Sequence, residues 1–169
     1  DDFSELFRNK TSFNSDISNW DVSSGRNFGA MFNRAEVFNQ DIGDWDVSSG
    51  TDFGYMFLNA NVFNQDIGNW DVSNGSNFFA MFNNANAFNQ EISSWDVSNV
   101  SNFYAMFYSA EAFNQDISSW DVSSGTNFNL MFAYADLMIS NQGVNRSPSP
   151  YDYFSYKFNT RAALETAVD

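Results

Sequence analysis

A 25-residue repeat restricts how this chain can fold more than any other feature. Trp20, Trp45, Trp70, Trp95 and Trp120 are each followed by Asp-Val-Ser, from Asp21-Val22-Ser23 to Asp121-Val122-Ser123. Ile17, Ile42, Ile67, Ile92 and Ile117 keep the same step. Phe fills three more columns. The first is Phe3, Phe28, Phe53, Phe78, Phe103 and Phe128, and the second is Phe7, Phe32, Phe57, Phe82, Phe107 and Phe132. The third is Phe13, Phe38, Phe63, Phe88 and Phe113, so the three together take seventeen of the 20 Phe. Self-similarity at a fixed period of this length marks a repeat architecture, in which each unit buries its apolar face against the next.

Each unit divides into two halves. Phe28, Met31, Phe32 and Ala35 stand at i, i+3, i+4 and i+7, the spacing of one helix face, and the pattern returns through Phe128, Met131, Phe132 and Ala135. Thr51, Ser76, Ser101 and Thr126 precede this face where a helix N-cap would stand, with Arg26 as the exception. The other half reads as extended chain. Trp45, Asp46 and Val47 alternate apolar and polar, and Ile42 opens another short apolar piece. Stacked strands lie about 4.8 Å apart and helices about 10 Å apart, which curves such an array with the strands on the tighter side. The expected fold is therefore α/β: a repeat solenoid, leucine-rich-repeat-like, with short helices on one side and short stacked parallel strands on the other. It spans residues 1–139 as about five to six repeats. Residues 140–150 hold both prolines, Pro148 and Pro150, and read as a linker. Residues 151–169 read as an aromatic segment, Tyr151 to Phe158, and a helix start from Thr160, the beginning of a further unit. Both ends read as cut from a longer chain, because neither carries a recognisable cap.

Composition excludes several function classes. The chain has 21 acidic and 7 basic residues, a net charge of -14, and no Lys or Arg between Arg34 and Arg146. Nucleic-acid backbones need clustered Lys and Arg, so they are not expected partners, and anionic membranes are disfavoured for the same reason. No apolar run is long enough to insert into a bilayer. With 0 Cys and 0 His, thiolate and imidazole chemistry and the usual zinc sites are absent.

The unit Phe-Asn-Gln-Asp-Ile-x-x-Trp-Asp-Val-Ser, followed by Met-Phe-x-x-Ala, resembles the repeats of BspA-like leucine-rich-repeat surface proteins. It also resembles related repeats of Mycoplasma and Listeria lipoproteins. That resemblance implies a secreted or surface-exposed protein acting in adhesion or interaction. The chain departs from the family pattern in two columns. Gly25, Gly50, Gly75 and Gly125 stand where the family usually has Val, and Phe28, Phe53, Phe78, Phe103 and Phe128 where it usually has Met. Altered core packing is expected there.

The polar columns have two readings. Asp16, Asp41, Asp66, Glu91 and Asp116 form one acidic column, and Asp21, Asp46, Asp71, Asp96 and Asp121 another. Carboxylates stacked at this spacing repel by about 1 kcal/mol in water. Hydrogen bonding to turn amides offsets this. The alternative is calcium bridging between units at Asp16, Asp41, Asp66, Glu91 and Asp116. Asn14, Asn39, Asn64, Asn89 and Asn114 read as an amide ladder between units, with ice or glycan binding as the lesser alternative. Catalysis is not expected, because an active site would break the repeat, whereas here the carboxylates are the repeat.

Positions where the repeat is broken point to a partner. Gly29, Gly54, Phe79, Tyr104 and Asn129 share one variable column; Asn33, Leu58, Asn83, Tyr108 and Ala133 share another. Stacking is expected to gather Leu58, Phe79, Tyr104 and Tyr108 into an exposed aromatic patch, a partner-binding surface, or a face covered by the chain's own aromatic tail. The function this implies is a non-catalytic repeat scaffold for protein or glycan partners, extracellular or at the cell surface. Two alternatives remain: a structural linker subunit within a larger complex, and a calcium-dependent adhesion module.

Overall fold

The computed structural model describes residues 1–144 and 153–154. Within them the 25-residue units stack in register. One residue per unit pairs in parallel with its equivalent in the next, running Asp2, Asn27, Asp52, Asn77, Asn102 and Asn127. Beyond that bridge, every second N–H reaches the following unit. Phe28 donates to the carbonyl of Asp52 at 2.8 Å, Ala30 to Gly54 at 2.8 Å, Phe32 to Met56 at 2.9 Å and Arg34 to Leu58 at 2.8 Å.

The intervening N–H groups bond within the unit, three residues back. Met31 donates to Phe28, Asn33 to Ala30, Ala35 to Phe32, Phe38 to Ala35, Trp45 to Ile42 and Gly50 to Val47. These are tight turns, and they overturn the expected helix over Phe28–Ala35. Ala30 and Arg34 have φ of 55° and 60°, as do their equivalents Tyr55 (60°), Asn59 (56°), Leu130 (61°) and Tyr134 (62°). A left-handed residue cannot continue a right-handed helix, but it is what a type II turn requires at its third position. Phe28–Met31 and Phe32–Ala35 are two such turns in tandem. Their end residues face the core and are buried. Two four-residue turns with apolar ends thus produce i, i+3, i+4 and i+7 spacing with no helix.

The expected stacked strands are overturned as well. Among the described residues, pairing is confined to single isolated bridges. Trp45 and Val47 are buried around exposed Asp46 as alternation predicts, but the Trp45 N–H and Val47 carbonyl are engaged in local turns. The indole bridges the units here instead. Trp45 Nε1 donates to the Ile17 carbonyl at 3.2 Å, Trp70 to Ile42 at 3.0 Å, Trp95 to Ile67 at 3.1 Å and Trp120 to Ile92 at 3.0 Å. The N-cap assignment also falls. Thr51 donates through both N–H and Oγ1 to the Arg26 carbonyl of the preceding unit, at 2.8 and 3.1 Å, and Ser76, Ser101 and Thr126 repeat this. The chain is a stack of turns, not an α/β solenoid of helices and strands.

Its core is aromatic. Within a unit, Phe32 stacks on Phe38 at 4.0 Å between ring centres. Between units, Phe32 stacks on Phe57 at 5.5 Å, Phe57 on Phe82 at 5.5 Å and Phe82 on Phe107 at 5.7 Å, all within 9° of parallel. Such pairs add about 0.5–1.5 kcal/mol each beyond burial.

The last unit breaks the pattern. α1, Asp136–Gln142, replaces the Phe-Asn-Gln segment and ends at Gly143, whose φ is 71°. Met138 takes the Phe column and is buried. Tyr153 lies 6.2 Å from Phe132 and Phe154 lies 6.4 Å from Phe128, so they cover the end of two Phe columns. α1 runs into the segment read as a linker; the rest of that segment from residue 145, and the helix start from Thr160, lie outside the described residues.

In four units the Gly-for-Val and Phe-for-Met exchanges meet in one contact; in the fifth, Val100 and Phe103 are buried together, so the ring can make room for a Val there. A Cβ on Gly50 would sit 2.4 Å from Phe53 Cζ and 2.9 Å from the Val47 carbonyl. The larger ring occupies the space that the glycine leaves. Gly50→Val should therefore destabilise by about 1–3 kcal/mol, the usual cost of overpacking. Adding Phe53→Met should restore part of it, since the Val47 carbonyl stays 2.9 Å from the new Cβ. Denaturant melts of the single and double variants check this coupling.

Candidate functional site

Each acidic column serves its own turn. Asp16 accepts the Ser18 N–H at 2.9 Å, Asp41 that of Gly43 at 3.0 Å, Asp66 that of Gly68 at 2.9 Å, Glu91 that of Ser93 at 2.8 Å and Asp116 that of Ser118 at 3.0 Å. In the second column, Asp46 accepts both the N–H of Ser48 at 3.0 Å and its hydroxyl at 2.6 Å. Hydrogen bonds from Ser23, Ser48, Ser98 and Ser123 hold Asp21, Asp46, Asp96 and Asp121 below the usual carboxylate range. Repulsion from the neighbouring unit, Asp21 on Asp46 and Asp96 on Asp121, acts the other way and is the weakest influence. The turn bonds win over like-charge repulsion because these carboxylates are exposed to water. Among the described residues, no group of three or more acids is placed to hold a metal ion.

The amide column is a ladder between units. Asn39 N–H donates to Asn14 Oδ1, Asn64 to Asn39, Asn89 to Asn64 and Asn114 to Asn89, each at 2.9 Å. Gln90 and Gln115 reinforce it from the next position. The ladder stops at Asn114, because Ile139 stands where the next Asn would be.

The remaining chemistry lies on the turn centres. Phe79 and Tyr104 are half-exposed and their rings stack at 4.8 Å, 14° from parallel. Leu58 is half-exposed on the neighbouring turn. Tyr108 does not join the Phe79 and Tyr104 rings; it meets Tyr134 edge-on at 5.3 Å. Two residues that the sequence reading missed complete these groups. Tyr55, 41% exposed, lies 4.7 Å from Phe79, and Tyr134 is 60% exposed. On a helix, Tyr55 and Tyr134 would be rotated away from the variable columns. In a tight turn, both central residues lie on the outer side, so columns 29 and 30, like 33 and 34, share one rim. Scanning all four columns for departures from Ala, Asn and Gly would have found both. The rim thus carries a continuous row, Tyr55–Phe79–Tyr104, and a separate pair, Tyr108–Tyr134.

Where the row ends, the rim is hollow. Gly29 and Gly54 occupy the column that Phe79 and Tyr104 fill in later units. A concavity of about 260 Å³ opens there between Glu5, Asn27, Asp52, Tyr55 and Asn77. Asp52 Oδ1 accepts the Gly54 N–H at 2.8 Å and Asn77 Nδ2 at 2.9 Å. Among the described residues, no helix is long and apolar enough to cross a membrane.

A family model described as "Mycoplasma protein of unknown function, DUF285" matches residues 1–90 and again residues 67–165. No curated protein and no solved structure matches the chain.

The lowered carboxyl groups tie stability to pH. Their folded values lie below the unfolded ones, so their contribution is complete above about pH 4 and is lost as pH falls through the folded values. Melting temperature should therefore hold constant down to about pH 4 and then decline. Ser48→Ala, which removes one bond to Asp46, should make that decline shallower. A scan of melting against pH for both proteins tests this. A further melt with calcium and with chelator should give superimposable curves; a calcium-dependent rise would support bridging at Asp16, Asp41, Asp66, Glu91 and Asp116.

Proposed function

The chain belongs to the DUF285 repeat family, and from that premise we propose that it is a non-catalytic scaffold presenting an interaction surface to protein or glycan partners outside the cytoplasm. The observation that carries this reading is the exposed aromatic row Tyr55–Phe79–Tyr104 with the pair Tyr108–Tyr134. These rings contribute little to the core, which is already closed by the inner Phe columns. Large aromatic side chains left together on a surface are the residue types that anchor partners. The acids support the same reading from the other side. Ten of the 21 sit in columns tied to turns, which leaves them as architecture rather than catalytic pairs. The repeat signature's resemblance to BspA-like surface proteins supports the extracellular placement.

The double variant Tyr104→Ser, Tyr108→Ser tests the reading. Its melting should change by no more than about 1 kcal/mol, since only exposed ring contacts are lost. On arrays of extracellular-matrix proteins and of glycans, the intact protein should bind a defined subset that the variant binds at least about tenfold more weakly. Retained binding by the variant argues against the aromatic surface.

A further inference from the structure

We infer that the concavity over Gly29 and Gly54 is a slot for an arginine side chain of a partner protein, continuous with the Tyr55–Phe79–Tyr104 row. The inference rests on the scaffold reading above and specifies the chemistry of the partner.

The slot opens where side chains are missing at Gly29 and Gly54, with the Asn77 amide, 2.8 Å from where a Gly54 Cβ would stand, as part of its floor. Column 29 carries Phe79 and Tyr104 in the middle units and nothing beyond Cα at Gly29 and Gly54. The same turn accepts a large side chain in this column, because Asn77 and Asn102 support Phe79 and Tyr104 with the bond that Asn27 and Asp52 give to Gly29 and Gly54. The hollow is therefore not forced by the backbone.

Charge selects the occupant. Asn27, Asn77, Asn102 and Asn127 occupy the bridge column at the turn; Asp2 and Asp52 put carboxylates there, and of these two Asp52 lines the hollow. Oδ1 is bound to the turn and to Asn77; Oδ2 takes part in neither bond. Tyr55, 41% exposed, lines the same hollow, and a carboxylate and an aromatic ring in one hollow are the pairing that guanidinium satisfies with both its charge and its plane. Glu5 at the mouth adds a second carboxylate, already shared with Arg8 at 2.6 Å. The chain's net charge of -14 draws a basic segment toward this surface. Beyond the slot, the rings of Phe79 and Tyr104 give the apolar continuation of the same segment something to lie against.

Asp52→Asn is the decisive variant. It places at position 52 the residue that makes the same turn bond in four other units, so the fold is kept while one charge is removed. The probe is a fluorescent hexa-arginine peptide at physiological salt, with hexa-lysine as comparison. Asp71→Asn, in the acidic column after Trp70, serves as the equal-charge control. Asp52→Asn and Tyr55→Ala should each weaken hexa-arginine binding about tenfold or more, the scale of a lost charge-assisted bond or cation–π contact. Asp71→Asn should change it by less than about twofold. Hexa-arginine should bind more tightly than hexa-lysine. Equal loss with Asp52→Asn and Asp71→Asn would mean attraction to net charge alone and overturns the slot. Binding of neutral oligosaccharides that Tyr55→Ala abolishes and Asp52→Asn spares would assign the hollow to a glycan and also overturns it. If Asp52→Asn has no effect while Tyr104→Ser, Tyr108→Ser still loses its array partners, the slot fails and the scaffold reading stands.

Discussion

The structure depends on how the backbone N–H groups from Phe28 to Ala35 are divided. Alternate donors leave the unit for the next one, at Phe28, Ala30, Phe32 and Arg34, while Met31, Asn33 and Ala35 close turns within it. Neither set alone would make a fold. Turns without the cross-bonds would be isolated and unable to bury their apolar ends. Cross-bonds without turns would be flat ladders with no room for rings. The division also fixes the distance between units, and with it the 5.5–5.8 Å separation at which the second Phe column stacks. Left-handed residues at Ala30 and Arg34 are the conformational cost of this arrangement, about 1–2 kcal/mol each, and stacking of successive rings offsets it.

Much of this is legible from the residues alone. The period, the columns and their burial follow directly from Trp, Ile and Phe spacing. The amide ladder and the turn-bound carboxylates follow from the side chains that short polar residues prefer. What the pattern does not reveal is the local conformation. Phe28, Met31, Phe32 and Ala35 fit a helix face and a pair of type II turns equally well, because both place the first and fourth of every four residues on one side. No Gly marks the left-handed positions: Ala30, Tyr55, Ala80, Ala105 and Leu130 hold one of them. Only the second left-handed position hints at it, through Asn9, Asn59 and Asn84, and propensity favours helix until the bonds to the next unit are counted. Trp45 and Val47 mislead in a similar way, since alternation reports burial and not pairing.

The same ambiguity governs the surface. A helix separates position 29 from position 30; a turn places them together on the rim. That difference divides the expected single patch into a row through Tyr55 and a pair through Tyr134, and it exposes the hollow beside Asp52. Repeats of this kind separate the two tasks of a sequence cleanly. Inner turn ends are held constant by packing, and outer turn centres are free to vary without disturbing it. In this chain that freedom is taken up by aromatic rings in the middle and last units and by glycines in the early ones.

The Trp indole bond to the Ile carbonyl of the preceding unit has a consequence for how such a chain changes length. The junction is chemically the same at Trp45, Trp70, Trp95 and Trp120. Duplicating or excising any 25 residues between them recreates the junction with the same donor and acceptor. Gain or loss of whole units is then nearly silent for folding, yet it moves rim residues relative to one another in steps of one unit. The separation between the hollow at Gly54 and the pair at Tyr108–Tyr134 is thus a quantised variable, adjustable by recombination without any point substitution.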